Sequence, residues 1–175
     1  QAATFEAEWL NPENVPATGV AVNLVGHGDE ILILSATMDK IGRLADPQAG
    51  LHERMTWFWH GHLTSSLEKS GPAAMVDQIL LLRQHARGNF RTLLREITTD
   101  LAMLWWLDGA YNTAEAPNEN YARELMELFA LGRHSGAYTE ADVRAGAVAL
   151  AGWWVDEEDG DRVRFDPEAA PRHKV

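Results

Sequence analysis

Apolar side chains recur along most of this chain at three- and four-residue intervals, and proline, glycine and short polar runs interrupt them. That pattern predicts a succession of short helices. Residues 1–30 carry little periodicity, and "WLNPENVPATG" reads as a helix end running into a loop punctuated by Pro12, Pro16 and Gly19. "DEILILSATMDKIGRLADP" has helical spacing that Pro47 stops. A helix is predicted from about Leu51 to Leu67, and another over "SGPAAMVDQILLLRQHARGN", with Ser70 as its cap and Gly88 as its stop. "FRTLLREITTD" and "LAMLWWLDG" predict two further short helices, and "AYNTAEAPNEN" a polar loop. "NENYARELMELFALG", residues 118–132, has a helix start at Pro117 and Asn118, an acid in its first turn at Glu119 and an exit at Gly132. Thr139 and Asp142 stand in capping-box register ahead of the next helix, which Gly152 ends. "WWVDEEDGDRVRF" then has two β-prone runs around Asp159-Gly160, a hairpin signal. The expected fold is mainly α, a multi-helix globular domain with a small β-hairpin near the C-terminus.

Length and composition narrow the function classes. The 175 residues fit one helical domain spanning 1–175, and 46% apolar with 23% charged residues fits a folded core. Fifteen basic against 26 acidic residues leave a net charge of −11, which repels phosphate backbones and argues against a nucleic-acid partner. No run of 18 apolar residues is present, so no membrane-spanning segment is expected. The absence of cysteine removes disulfides, thiolate metal ligands and cysteine nucleophiles. Seven tryptophans include three pairs at most two residues apart, and helical neighbours point about 100° apart, so they cannot all share one core face.

Candidate chemistry lies in two segments. On a helix over 118–132, Tyr121, Leu125, Leu128 and Phe129 form one face, and Asn120, Arg123, Glu124 and Glu127 the opposite arc. The plain reading of that arc is a solvated, salt-bridged surface. Arg123, however, has a glutamate four residues away on either side, which makes it a candidate for a buried bridge between helices. In "HERMTWFWHGHL", residues 52–63, a helix places Glu53, Trp57 and His60 on one side and Phe58, Trp59 and His62 on the other. His60 and His62 then point about 160° apart, so a helix cannot aim both at one metal. His-Glu-x-x-His, Glu-x-x-His, Gly-x-Ser-x-Gly, Walker and dinucleotide motifs are absent, and "DEEDGD" departs from calcium-loop spacing.

Five segments together resemble the bacterial "domain of unknown function 1800" family: "ERMTWFWHGH", "GNFRTLLREITTDLAMLWWLD", "PNENYARELMELFALG", "YTEADVRAGAVALAGW" and "FDPEAAPRH". They occur in the family's order across most of the chain. The signature set that the resemblance implies is Glu53, Arg54, Trp59, His60, His62, Asn118, Glu119, Asn120, Arg123, Glu124, Glu127, Gly152 and Trp153. Two positions depart from the pattern: Gly61 replaces the usual asparagine between the histidines, and the family's Asp-x-Gly-x-Lys continuation is not evident after His173. The resemblance further implies a bacterial, exported (periplasmic or extracellular) protein, no assigned activity, and a longer parent domain of which this chain is a fragment or one half. On that view an apolar surface is covered by missing flanking segments of the same domain or by a protein partner, and drives association in solution. Two functional expectations follow. The preferred one is an interaction or structural module. The alternative is an enzyme in which Glu124, Glu127 and His60 form an acid-base pocket or bind a divalent metal, with Arg123 orienting a carboxylate.

Overall fold

The structure, a computed structural model, describes residues 50–169. Predicted features at 1–49 and 170–175, among them the 29–47 helix, Trp9 and His173, lie outside the described residues. The described chain is helical up to a C-terminal hairpin, as the apolar spacing predicts. Its helices are α1 (Gly50–His62), α2 (Leu67–Ser70), α3 (Pro72–Gln84), α4 (Phe90–Thr98), α5 (Leu101–Trp106), α6 (Glu119–Glu124) and α7 (Glu140–Ala149). A π-helical segment, Leu125–Ala130, continues α6 directly.

Local chemistry sets most of these boundaries. Asn89, Asp100, Asn118 and Thr139 each cap a helix start with a side-chain oxygen that accepts a backbone N–H, and Thr139 and Asp142 complete the expected capping box. The first helix stops at His62, short of the predicted Leu67. Serine and threonine follow there, and Ser65 spends its hydroxyl on Gln78 Oε1 (2.6 Å), so the chain turns before α2. Ser70 is not the cap of α3. Its hydroxyl donates to the Ala102 carbonyl (2.8 Å), while Gly71 at φ 78° occupies the cap position and Pro72 the first turn.

One main core joins the elements. Leu63, Leu82, Leu93, Ile97, Met103, Leu104, Leu107, Tyr121 and Phe129 are buried together, with Trp59, Trp106 and Trp153 packed on the rim. A smaller seam of Ala122, Val143 and Ala147 joins α6 to α7. The two helices approach closely at Gly146, where an added Cβ would stand 3.3 Å from Ala122 Cβ and 2.9 Å from Met126 Cε. The hairpin pairs β1 (Trp153–Asp156) antiparallel with β2 (Arg162–Phe165), in the register Trp153 opposite Phe165 and Val155 opposite Val163. Its connection has a short 3-10 turn at Glu157–Asp159, and the left-handed residues are Gly160 and Asp161, one position beyond the predicted Asp159-Gly160 pair.

Candidate functional site

The polar arc of α6 is built from its start. Asn118 Oδ1 accepts the Asn120 N–H (3.0 Å) and fixes the first turn, which sets the direction of Arg123. Arg123 meets Glu119 at 3.0 Å and Glu127 at 3.6 Å, the two intrahelical pairs expected from spacing. Its closest engagement is with α7: Nη1 and Nη2 donate to the two Glu140 oxygens at 2.9 and 2.8 Å. This fork-on-carboxylate geometry holds the guanidinium charged, its pKa raised first by the Glu140 hydrogen bonds, and the same contact lowers that of Glu140. Arg123 therefore does bridge helices, but it is not buried. Its side chain keeps 31% of its accessible surface, because Glu140, an exposed partner absent from the sequence reasoning, draws it outward.

The remaining candidates occupy separate environments. Glu127, mostly buried, lies between Arg123 and, at 3.8 Å, Arg133. Glu124 is half-buried on the same turn. His60 stacks on Trp57, with ring centroids 6.0 Å apart. Among the described residues no group of three His, Asp or Glu side chains is placed to hold a metal ion. The histidine that reaches α6's extension is His62, whose Nε2 donates to the Phe129 carbonyl at 3.0 Å while its ring stacks on Phe58. The 160° separation of the two histidines explains why only one points there.

Glu53, one of the signature positions, is buried on α1 and receives Arg83 of α3, at 3.0 Å from Nε. Several other organising residues were not singled out by the sequence. Gln78, fully buried, accepts from Ser65 and donates to Asp100 Oδ2 (2.7 Å), which also accepts the Met103 N–H (3.0 Å). Burial raises the Asp100 carboxyl to about 6, against the lowering pull of those hydrogen bonds. Asn112 is a second hub: its Nδ2 donates to the Ala147 carbonyl (2.7 Å), its Oδ1 accepts the Asn118 N–H (2.9 Å) and its carbonyl accepts the Gly152 N–H (3.1 Å). Asn112 lies in the stretch expected to be a polar loop, and nothing local marks it, because its Ala147 partner is 35 residues away in sequence. Among the described residues no buried side-chain polar atom lacks a partner.

These contacts bind helices to one another through the positions that the family resemblance singles out. Glu53, His62, Asn118, Glu119, Asn120, Arg123 and Glu127 each hold a neighbouring element, a helix start or a charged neighbour. No curated protein and no solved structure matches the chain. The profile of a family described as "Protein of unknown function (DUF1800)" matches residues 25–174, which takes in the whole arc, the histidine helix and the hairpin. The chain belongs to that family.

Proposed function

We propose that this chain is an exported helical module that acts by binding another macromolecular surface rather than by catalysis. The observation that carries the reading is where its large apolar side chains stand. On α1, Trp57 and Phe58 are 51% and 53% exposed, and Leu51 is exposed on the same helix. The hairpin leaves Trp154 and Phe165 open as well. Large, rigid aromatic surface of this kind is what interfaces are enriched in. Meanwhile Arg123 and His62 are engaged in ties between elements. Export is supported by the family resemblance alone.

The experiment is a photo-crosslinking amino acid placed at Phe58, or at Trp57, in the native bacterium, with exposed Ala141 on α7 as the control. A discrete adduct from the α1 positions and none from the control is expected. Fractionation of the same cells checks export. Stoichiometric metal in the purified native protein, lost in Glu124→Gln and His60→Gln, would instead favour the acid-base or metal pocket.

A further inference from the structure

The chain is acidic overall, yet among the described residues four of the exposed arginines without an ion pair stand on or beside α1 and α4, with Arg144 on α7 a separate fifth. Arg54 on α1, Arg87 after α3, and Arg91 and Arg95 on α4 are all exposed. Among the described residues no ion pair or side-chain hydrogen bond engages any of the four, whereas Arg83, Arg123, Arg162 and Arg164 are all paired. Aromatic rings join their elements. Phe58 meets Trp59 edge-on at 4.9 Å, Trp59 stacks on Phe90 at 5.4 Å, and the Trp59 indole N–H donates to the Ala86 carbonyl at 3.0 Å. Arg54 stands one turn before Phe58, and Arg87 and Arg91 flank Phe90. This is a basic, aromatic face.

The hairpin carries the complementary chemistry. Its tip sequence, Asp156 to Asp161, holds five carboxylates, and Arg164 and Arg162 neutralise only Asp156 and Asp159. Glu157, Glu158 and Asp161 are exposed without an ion pair among the described residues. Trp154 on β1 and Phe165 on β2, 41% and 49% exposed, stand farther from the tip, towards the open end of the hairpin. We propose, building on the interaction reading above, that the hairpin of one copy docks on the arginine-aromatic face of a second copy. Carboxylates at the tip meet Arg87 and Arg91, and Trp154 packs with Phe58 and Phe90. A face that differs from its partner face makes a head-to-tail contact, which closes into a ring or runs on as a chain. The net charge of −11 opposes random self-association, and this pairing brings opposite charges together.

Charge reversal tests it on the 175-residue chain by sedimentation velocity. Wild type is expected to self-associate, more weakly at high salt. Arg87→Glu with Arg91→Glu, or Glu157→Lys with Glu158→Lys, is expected to weaken association about tenfold or more. Mixing the two variants, or placing all four substitutions in one chain, restores it, which a folding defect would not do. A wild type that stays monomeric, a reversal without effect, or a mixture that fails to reassociate overturns the contact. If wild type is monomeric while a crosslinker at Phe58 still captures one defined protein, the docking of copies is wrong and the interaction reading stands. If that crosslinker also captures nothing, both fall.

Discussion

Single polar side chains inside the helix bundle have more influence than their number suggests. Asn112→Ala would strip partners from the Ala147 carbonyl and the Asn118 N–H. Each unsatisfied buried group costs about 1–3 kcal/mol, so a loss of at least ~2 kcal/mol in a urea titration is expected. Asp100 gives a pH signature. Its carboxyl titrates near 6 when folded and near 3.8 when its burial is lost. The folded state therefore holds a proton that the unfolded state has released, and stability falls as pH rises from about 4 to about 6, then levels. The interval from 3.8 to about 6 is worth ~3 kcal/mol. Asp77 shifts the same way through burial. Glu140 and Asp142, lowered by their hydrogen bonds, act oppositely and lose their contribution as pH falls below about 4. Chemical denaturation between pH 4.5 and 7 should show the decline, and Asp100→Asn should flatten most of it. An equally steep decline in that variant would assign the effect to other groups.

At the scale of elements, the π-helical segment explains the main departure from the predicted face. An ideal helix puts Leu128 and Phe129 both on the face of Tyr121 and Leu125, but Leu128 is 57% exposed and only Phe129 of the two is buried. The widened turn, seen in the Leu131 N–H donating to the Met126 carbonyl five residues back, absorbs one extra residue. Removing that residue should return the segment to α-helix with phenylalanine on the core face. Deletion of Leu128 is thus expected to cost little, whereas Phe129→Ala costs about 3–5 kcal/mol. Melting temperatures of the two variants decide it, and an equal loss would sink this account. The ion pairs between elements differ by burial. Arg83 and Glu53 are largely enclosed, with 15% and 10% of their side chains accessible, so Glu53→Gln should cost about 3–5 kcal/mol. Arg123→Met loosens a more open clamp, and its smaller effect should shrink further as salt is added. A loss as large as that of Glu53→Gln, and insensitive to salt, would contradict this ordering.

The whole molecule separates its charges while keeping its helices in one core. Among the described residues, Arg83 and Arg123 tie helix to helix and Arg164 stiffens the hairpin, while Arg54, Arg87, Arg91 and Arg95, in no ion pair, stand with exposed aromatics on or beside α1 and α4. Salt should therefore act on two properties in different degrees. Folding, held by the Leu82–Ile97–Met103–Tyr121 core, should change little with ionic strength, and association should weaken steeply. Thermal unfolding of the Arg87→Glu, Arg91→Glu variant should stay close to wild type, since both side chains are exposed; a collapse of the fold would show that these side chains are structural.

Much of the architecture was legible from local chemistry. Caps at Asn118 and Thr139, the exit at Gly132 and the β-prone runs around Gly160 depend on a few neighbouring residues, so their outcome follows from sequence spacing. The intrahelical partners of Arg123 were legible for the same reason. What spacing cannot carry is which element lies alongside. Glu140 reaches Arg123 across 17 residues, Phe129 offers its carbonyl to His62 across 67, and Asn112 gathers α6, α7 and the hairpin. The π turn belongs to this second group: nothing in the periodicity of 118–132 favours Phe129 over Leu128, because the choice is made by packing in the core that Phe129 shares with Tyr121 and Ile97. Local hydrogen bonds and periodicity thus determine where helices begin, end and turn their apolar stripes, and tertiary packing decides which polar residues become ties between them, since those contacts form only once the core has brought distant segments together.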